Sequence, residues 1–434
     1  MDFSKRLNAL DIFRGLTIAC MILVNNPGDW TNSYPILLHA DWHGCTPTDW
    51  VFPFFLFILG VAIPFALGAR KEAGVNGSGL RKKIISRSAI IFALGLFMAL
   101  FPNFRFVESG PESVLYIHYV LLFFFMTAVF IQASDEALLK KTNKIWKYIG
   151  YFTAFCLFII GIMYYDWSNL RIPGVLQRIA LVYLAASLIY LSFSIRTQVF
   201  LGISLLLGYW ALLTLVPVPG GTAPNLDAET NLGAWLDRFL LTENHLWGQA
   251  KTWDPEGILS TLPAIVTGLI GVWTGIWLKA QQSWQEKLGK LALCGLLLVG
   301  LGLIWDLAFP INKKIWTSSY VLYVGGLAQL FLAAIYYIVD VKYWTWWGRP
   351  FRIFGTNAMF AYVLSGLFAK LISAIKWAGP EPEKIISLRS WLYDSLFVPY
   401  FSAQNASLGF AIFNVGVIFF FTWLLYRRQI FLKV

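Results

Sequence analysis

Two of the chain's four histidines, His39 and His43, stand four residues apart in the segment HADWHG, and Asp49 follows six residues after the second. An imidazole that is largely neutral near pH 7 can take a proton from an attacking amine or hydroxyl, and a carboxylate on its other ring nitrogen fixes which nitrogen does so. His39 could equally attack a thioester itself and carry the acyl group; the residues do not choose between these routes. Asn25, Asn26 and Asn312 offer amides that could polarise a carbonyl. The residues after Asp49 read WVFPFFLFILG. This acid–base group therefore sits where a loop meets an apolar helix, a placement suited to chemistry at a membrane surface.

The elements that position it are membrane spans. With 58% hydrophobic and 13% charged residues in 434, the chain cannot present the charged exterior of a soluble protein of this size. About 15 to 25 apolar residues cross a hydrocarbon core, and about twelve such segments are expected. They are Leu10 to Val24, Val51 to Gly68, Ile84 to Phe101, Val114 to Ala133, Tyr148 to Tyr165, Val175 to Phe193, Val199 to Val216, Ile258 to Leu278, Leu291 to Phe309, Ile315 to Val339, Phe354 to Ile375 and Leu408 to Tyr426. The expectation is an all-α polytopic bundle, one membrane domain over residues 1–434, with outer loops at 217–256 and 377–405. Residues 385–401 could lie as a helix on the outer surface.

Alternate connections are basic. One set collects most of the 34 Lys and Arg, including Lys5, Arg6, Lys82, Lys83, Lys140, Lys141, Arg349, Arg427, Arg428 and Lys433; the other, with Arg105, Arg171, Lys313, Lys314 and Lys384, is sparser. Basic flanks are retained in the cytoplasm, so both termini are expected there and the histidine loop outside. This bias, with affinity for anionic lipid, accounts for the net charge of +11 and argues against a nucleic-acid partner. Cys20, Cys156 and Cys294 fall within spans, which leaves Cys45 as the lone loop cysteine and no paired-cysteine metal site. No metal is expected. Asp11 and Arg14 interrupt the approach to the first apolar run and no small-residue cleavage site follows it, so the first helix is expected to stay.

Orientation sorts the remaining polar residues. His39, His43, Asp49, Arg171, His245, Asp254, Glu256, Asn312, Lys313 and Lys314 fall on the outer side. RIPG, residues 171–174, and DPEG, residues 254–257, are read as helix openings, where free N–H groups attract an anion. Asp254 and Glu256 either satisfy a helix dipole or meet a substrate. Arg14, Arg87, Gln177 and Arg178 lie in spans, where an unpaired charge costs at least about 2.5 kcal/mol. They could receive an anionic ligand from the cytoplasm or form ion pairs with acids such as Asp11.

LDIFRG, VNN, HADWHG, TDWVFPFFLF, RIPGVLQR, DPEG and INKKIWTSSYV occur in this order from Leu10 to Val321, with GTNAM at residues 355–359 as a weaker late element. Together they resemble the transmembrane acetyltransferases typified by lysosomal heparan-alpha-glucosaminide N-acetyltransferase. The resemblance implies transfer from cytosolic acetyl-CoA to an amino sugar or saccharide across the membrane, with His39 as the active histidine. On this reading Asp49 and Asn25 assist His39; Arg14, Arg87, Gln177 and Arg178 hold the donor; and His43, Asn26, Asp254, Glu256, Asn312 and Lys313 meet the acceptor.

Two departures stand out. His43 replaces an Asn of the family motif, and residues 114–165 add an apparent helical hairpin containing His118. The chain also begins almost at the first motif, without the lumenal domain of the lysosomal protein, so a bacterial cytoplasmic membrane is expected. Lipid is the expected surrounding partner, and a homodimer is left open. A solute transporter is the main alternative, since buried Arg and proline-broken helices suit alternating access; an O-acetyltransferase of envelope polysaccharide is another. Transfer of isotope-labelled acetyl to a sugar, against uptake of unmodified solute, separates them. Orientation is checked independently: a cysteine introduced at Ser78 should resist an impermeant thiol reagent in sealed cells, and Cys45, unless locally buried, should react with it. Labelling at Ser78 alone would reverse the topology.

Overall fold

The computed structural model describes residues 7–72, 78–101, 112–133, 143–221, 223–379 and 385–432. Lys5, Arg6, Arg105, Lys140, Lys141, Lys384 and Lys433, which contribute to the expected charge bias, lie outside these residues. The described chain is helical except for a two-stranded antiparallel ribbon, β1 (Lys376–Ala378) and β2 (Ile385–Ser387), with Lys376 opposite Ser387.

Among the described residues, eleven helices are long and apolar enough to cross a bilayer. They are α1 (Asn8–Asn25), α2 (Pro47–Glu72), α3 (Ser78–Leu100), α4 (Glu112–Ala133), α5 (Asn143–Tyr164), α6 (Val175–Ser192), α7 (Ile195–Leu215), α9 (Thr261–Lys279), α10 (Trp284–Asp306), α11 (Ser318–Tyr336) and α15 (Ala403–Arg427). The expected polytopic bundle is present, and α4 packs against α5. The segment expected as one span from Phe354 to Ile375 is instead two helices, α12 (Arg349–Thr356) and α13 (Ala358–Ala374), bent by 85°. The physical cause lies at Asn357. Its Nδ2 donates to the Ile430 carbonyl at 3.0 Å and its Oδ1 accepts from Leu432 N–H at 3.0 Å, so the tail after α15 pins the break.

Two of the connections between spans carry short capped helices. In residues 217–256, α8 (Leu232–Leu241) starts at Asn231, whose Oδ1 accepts from Ala234 N–H at 3.0 Å. In 377–405, α14 (Leu388–Leu396) starts at Ser387, whose hydroxyl accepts from Ser390 N–H at 3.0 Å. DPEG does not open a helix. It closes a turn through Gly257 N–H to the Asp254 carbonyl at 2.9 Å, and α9 begins only at Thr261.

Helices α1, α2, α6, α9 and α11 are mostly buried, while α3, α4, α5, α7, α10 and α15 turn most of their surface to lipid. Glycine sets the inner contacts, because without a hydrophobic driving force between spans, close backbone approach supplies the attraction. A Cβ on Gly60 would lie 2.0 Å from the Gly268 carbonyl oxygen, and one on Gly271 would lie 2.1 Å from that of Phe57. Helix α1 meets α12 just as closely: a Cβ on Gly355 would lie 1.9 Å from the Asp11 carbonyl oxygen. Gly271→Leu should therefore lower the melting temperature of the detergent-solubilised protein strongly, since overpacking costs about 1–3 kcal/mol or more where backbone must move. Gly416→Leu, on an open face of α15, should leave it within experimental error; equal effects would refute the backbone-contact account.

Candidate active site

The histidine loop is built around Asp49. Residues 35–37 form a single 3-10 turn, and α2 begins at Pro47 after Thr46. Asp49 Oδ2 accepts from Thr46 N–H at 3.0 Å and from Ala40 N–H at 3.1 Å, reaching back to the helix start as the acid of a capping box does. Its other oxygen, Oδ1, lies 2.7 Å from His39 Nδ1. The helix N-terminus favours the negative charge, and the carboxylate fixes the ring with its Nδ1–H toward Asp49. Nε2 is left as the proton acceptor.

A second loop brings a cation to the same point. Gly44 N–H donates to the Ile311 carbonyl at 2.7 Å, with Gly44 at φ +102°, a conformation that suits glycine. Asn312 is fully buried, accepts from Ile315 N–H at 3.1 Å, and shapes the turn that projects Lys313. Lys313 Nζ lies 3.0 Å from His39 Nδ1, 3.3 Å from Nε2 and 3.4 Å from Asp49 Oδ1. Burial pulls the Lys313 ammonium below its ordinary pKa, while Asp49 works in the opposite direction.

Arg171 makes the third contribution. Its guanidinium grips Asp254 through two hydrogen bonds, at 2.9 and 2.7 Å, and reaches Glu256 at 2.6 Å. Burial alone would lower its pKa, but the bonds and charges of Asp254 and Glu256 hold it above the usual arginine range. Both acids are thus spent on an ion pair and not on a helix dipole. His245 Nδ1 contacts the Leu170 carbonyl at 2.7 Å and ties the loop holding α8 to the RIPG segment.

These groups enclose a cavity of about 260 Å³ lined by Asn25, His39, Asp49, Arg171, Glu256 and Lys313, with Tyr362 on its inner wall. Trp42, Trp247 and Trp253 also line it; their rings meet edge-on at 5.2 and 5.4 Å. Lys314 lies over Trp42 and Trp253 at 5.7 and 5.8 Å. Two further spaces, of about 290 and 640 Å³, share Arg171 with it and are lined by Lys370 as well. Sequence reading missed Tyr362, Trp247 and Trp253, which carry no local motif and reach the cavity only through folding. Asp237 was also missed. Burial pushes its carboxyl up to about 7, while its bond from Ile258 N–H at 2.8 Å opposes that.

The remaining candidates are dispersed. Asn26 donates to the Ile22 carbonyl at 2.7 Å, a bond within α1, and does not line the cavity. His43 is exposed beside the Asn312 amide at 3.4 Å. Arg14 pairs with Asp11 at 2.9 Å. Arg87 was expected as a buried charge but is exposed on α3, its guanidinium 4.9 Å from the Tyr183 ring. Arg178 is fully buried, donates to the Gly257 carbonyl at 3.0 Å and to Ser260, and lies 5.0 Å from the Trp316 ring. Gln177 lines the 290 Å³ space. The four residues expected to hold a donor are therefore not gathered at one place. Among the described residues, no group of three His, Cys, Asp or Glu could hold a metal ion.

Human (Homo sapiens) heparan-alpha-glucosaminide N-acetyltransferase is 28% identical over 410 residues, covering 82% of this chain and 52% of the human protein. The chain is similar to the heparan-alpha-glucosaminide N-acetyltransferases. The mouse (Mus musculus) protein of that name is 27% identical over 411 residues, 83% of this chain and 53% of its own length. The chain thus spans about half the length of the curated relatives it matches, and no family model matches it.

Two measurements follow. Burial, with Asp49 nearby, pushes the Cys45 thiol up to about 12, so the native cysteine should label slowly at pH 7 and the exposed Glu243→Cys is the better reporter of which side these loops face. Arg171→Ala leaves two partly buried acids facing each other and should destabilise the protein by several kcal/mol, as breaking one side of a buried pair does at about 3–5 kcal/mol. Adding Asp254→Asn and Glu256→Gln should restore part of the melting temperature; no recovery would show that the arginine acts through packing alone.

Proposed function

We propose that the protein is a membrane-embedded acetyltransferase that moves an acetyl group from cytosolic acetyl-CoA to the amine of a saccharide on the outer side, with the histidine loop facing outward from a bacterial cytoplasmic membrane. The observation that carries this reading is the His39–Asp49 pair, with Lys313 against it, opening into a cavity that also holds Asn25 and Glu256. The relatives' names supply the group transferred and the class of acceptor.

In the simplest scheme the neutral amine attacks the thioester carbonyl and a C–N bond forms. His39 Nε2 takes the surplus proton of that nitrogen, and Asp49 stabilises the resulting imidazolium. As the tetrahedral oxyanion collapses, the C–S bond breaks and CoA leaves as a thiolate that recovers the proton. Lys313 and Asn25 are the groups placed to stabilise the oxyanion, Lys313 by charge and Asn25 by its amide. An acetyl-imidazole route uses the same atoms, with Nε2 as nucleophile and the amine attacking second. Arg171, held by Asp254 and Glu256, shapes the wall.

His39→Ala should lower acetyl transfer to glucosamine by about 10²- to 10⁴-fold, the usual loss on removing a general base, while acetyl-CoA binding persists. His43→Ala should retain most activity. Inactive His43→Ala together with active, folded His39→Ala would move the base to the other imidazole and remove this assignment.

A further inference from the structure

A second space adjoins the reaction cavity and has the opposite character. It measures about 280 Å³ and runs between α1 and α2 along the face of α1 from Phe13 to Leu23, about 15 Å at 1.5 Å per residue. Its floor is a chain of rings: Phe13 to Phe54 at 5.4 Å, Phe54 to Phe331 at 5.4 Å, and Phe331 to Trp50 at 6.0 Å. The two hydroxyls in it are already engaged, Thr17 donating to the Phe13 carbonyl at 2.8 Å and Thr48 to that of Ile36 at 3.2 Å. The lining is otherwise apolar apart from the Cys20 thiol and the Trp50 indole N–H, which has no hydrogen-bond partner among the described residues.

Continuity decides what it suits. Val24, Thr48 and Val51 line both the slot and the reaction cavity, so an occupant can place a polar head beside His39 and an apolar tail along α1. Half-exposed Leu16 and Cys20 and exposed Phe331 border the slot. It lies within the apolar lengths of α1 and α2, and a tail can therefore enter sideways from the bilayer without crossing the polar loops.

We infer that the acceptor is a lipid-linked saccharide whose hydrocarbon tail occupies the α1–α2 slot while its sugar sits in the reaction cavity. This deepens the acetyl-transfer reading and rests on it. Because the tail comes from the bilayer and not from water, the slot adds little hydrophobic free energy; it fixes the position of the tail and so holds the amine at the rim beside His39.

The test uses the whole protein in nanodiscs with an amino sugar carried on an alkyl chain that bears a photoactivatable diazirine. Cross-links read by mass spectrometry should fall on the Phe13–Leu23 face of α1 and on Trp50 or Phe54. Leu16→Trp, which fills the slot, should reduce those cross-links and lower the ratio of lipid-linked to free glucosamine acetylation by about tenfold or more. Labelling spread over lipid-facing α4, α5 and α15 and indifferent to Leu16→Trp would overturn the proposal and leave the slot to bulk phospholipid. Wild-type labelling decides the point even if Leu16→Trp misfolds. If neither acceptor is acetylated, the transfer reading fails, while the cross-link map still decides whether the slot takes the tail.

Discussion

One buried carboxylate organises the end of the bundle that carries the histidine loop. Asp49 is 1% exposed, and a carboxylate removed from water at that depth costs far more than any single contact returns unless every lone pair finds a donor. Here the loop, the helix start, the imidazole and the lysine supply them. The same residue's carbonyl accepts from Tyr320 on α11 at 2.7 Å. Satisfying Asp49 thus sets the loop path, the tautomer of His39 and the position of Lys313 together. The reactive geometry and the local folding problem have one solution.

A different constraint governs the rest. Within lipid the helices gain little from burying apolar surface against one another, so the inner contacts depend on shape. Glycines at the crossings of α2 with α9 and α1 with α12 let backbones touch. Among the buried polar residues, Gln329 meets Thr274 at 2.8 Å and Ser318 meets the Leu206 carbonyl at 2.7 Å.

Much of this was legible in the sequence. Spans were readable because length and apolarity alone decide whether a segment can cross a bilayer, and the His39–Asp49 pair was readable because ten residues and a helix start separate its members. Lys313 was singled out but its partners were not, since they lie 274 and 264 positions away. The pairing of Arg171 with Asp254 and Glu256 was hidden likewise, because charge type says who can pair and not who does. Hydropathy also cannot tell which side of a span meets lipid, which is why Arg87 was taken as buried. The bend at Asn357 escaped because its cause is the backbone of residues 430 and 432.

The glycine crossings have a mechanical consequence. Where two helices touch backbone to backbone there are no long side chains between them to deform, so α2 with α9 behaves as one stiff beam and α1 with α12 as another. The reaction cavity and the apolar slot both lie along the seam between these beams. Compliance is therefore concentrated at that seam. A change in the angle between the beams would open or narrow the gap beside His39 without disturbing either backbone contact.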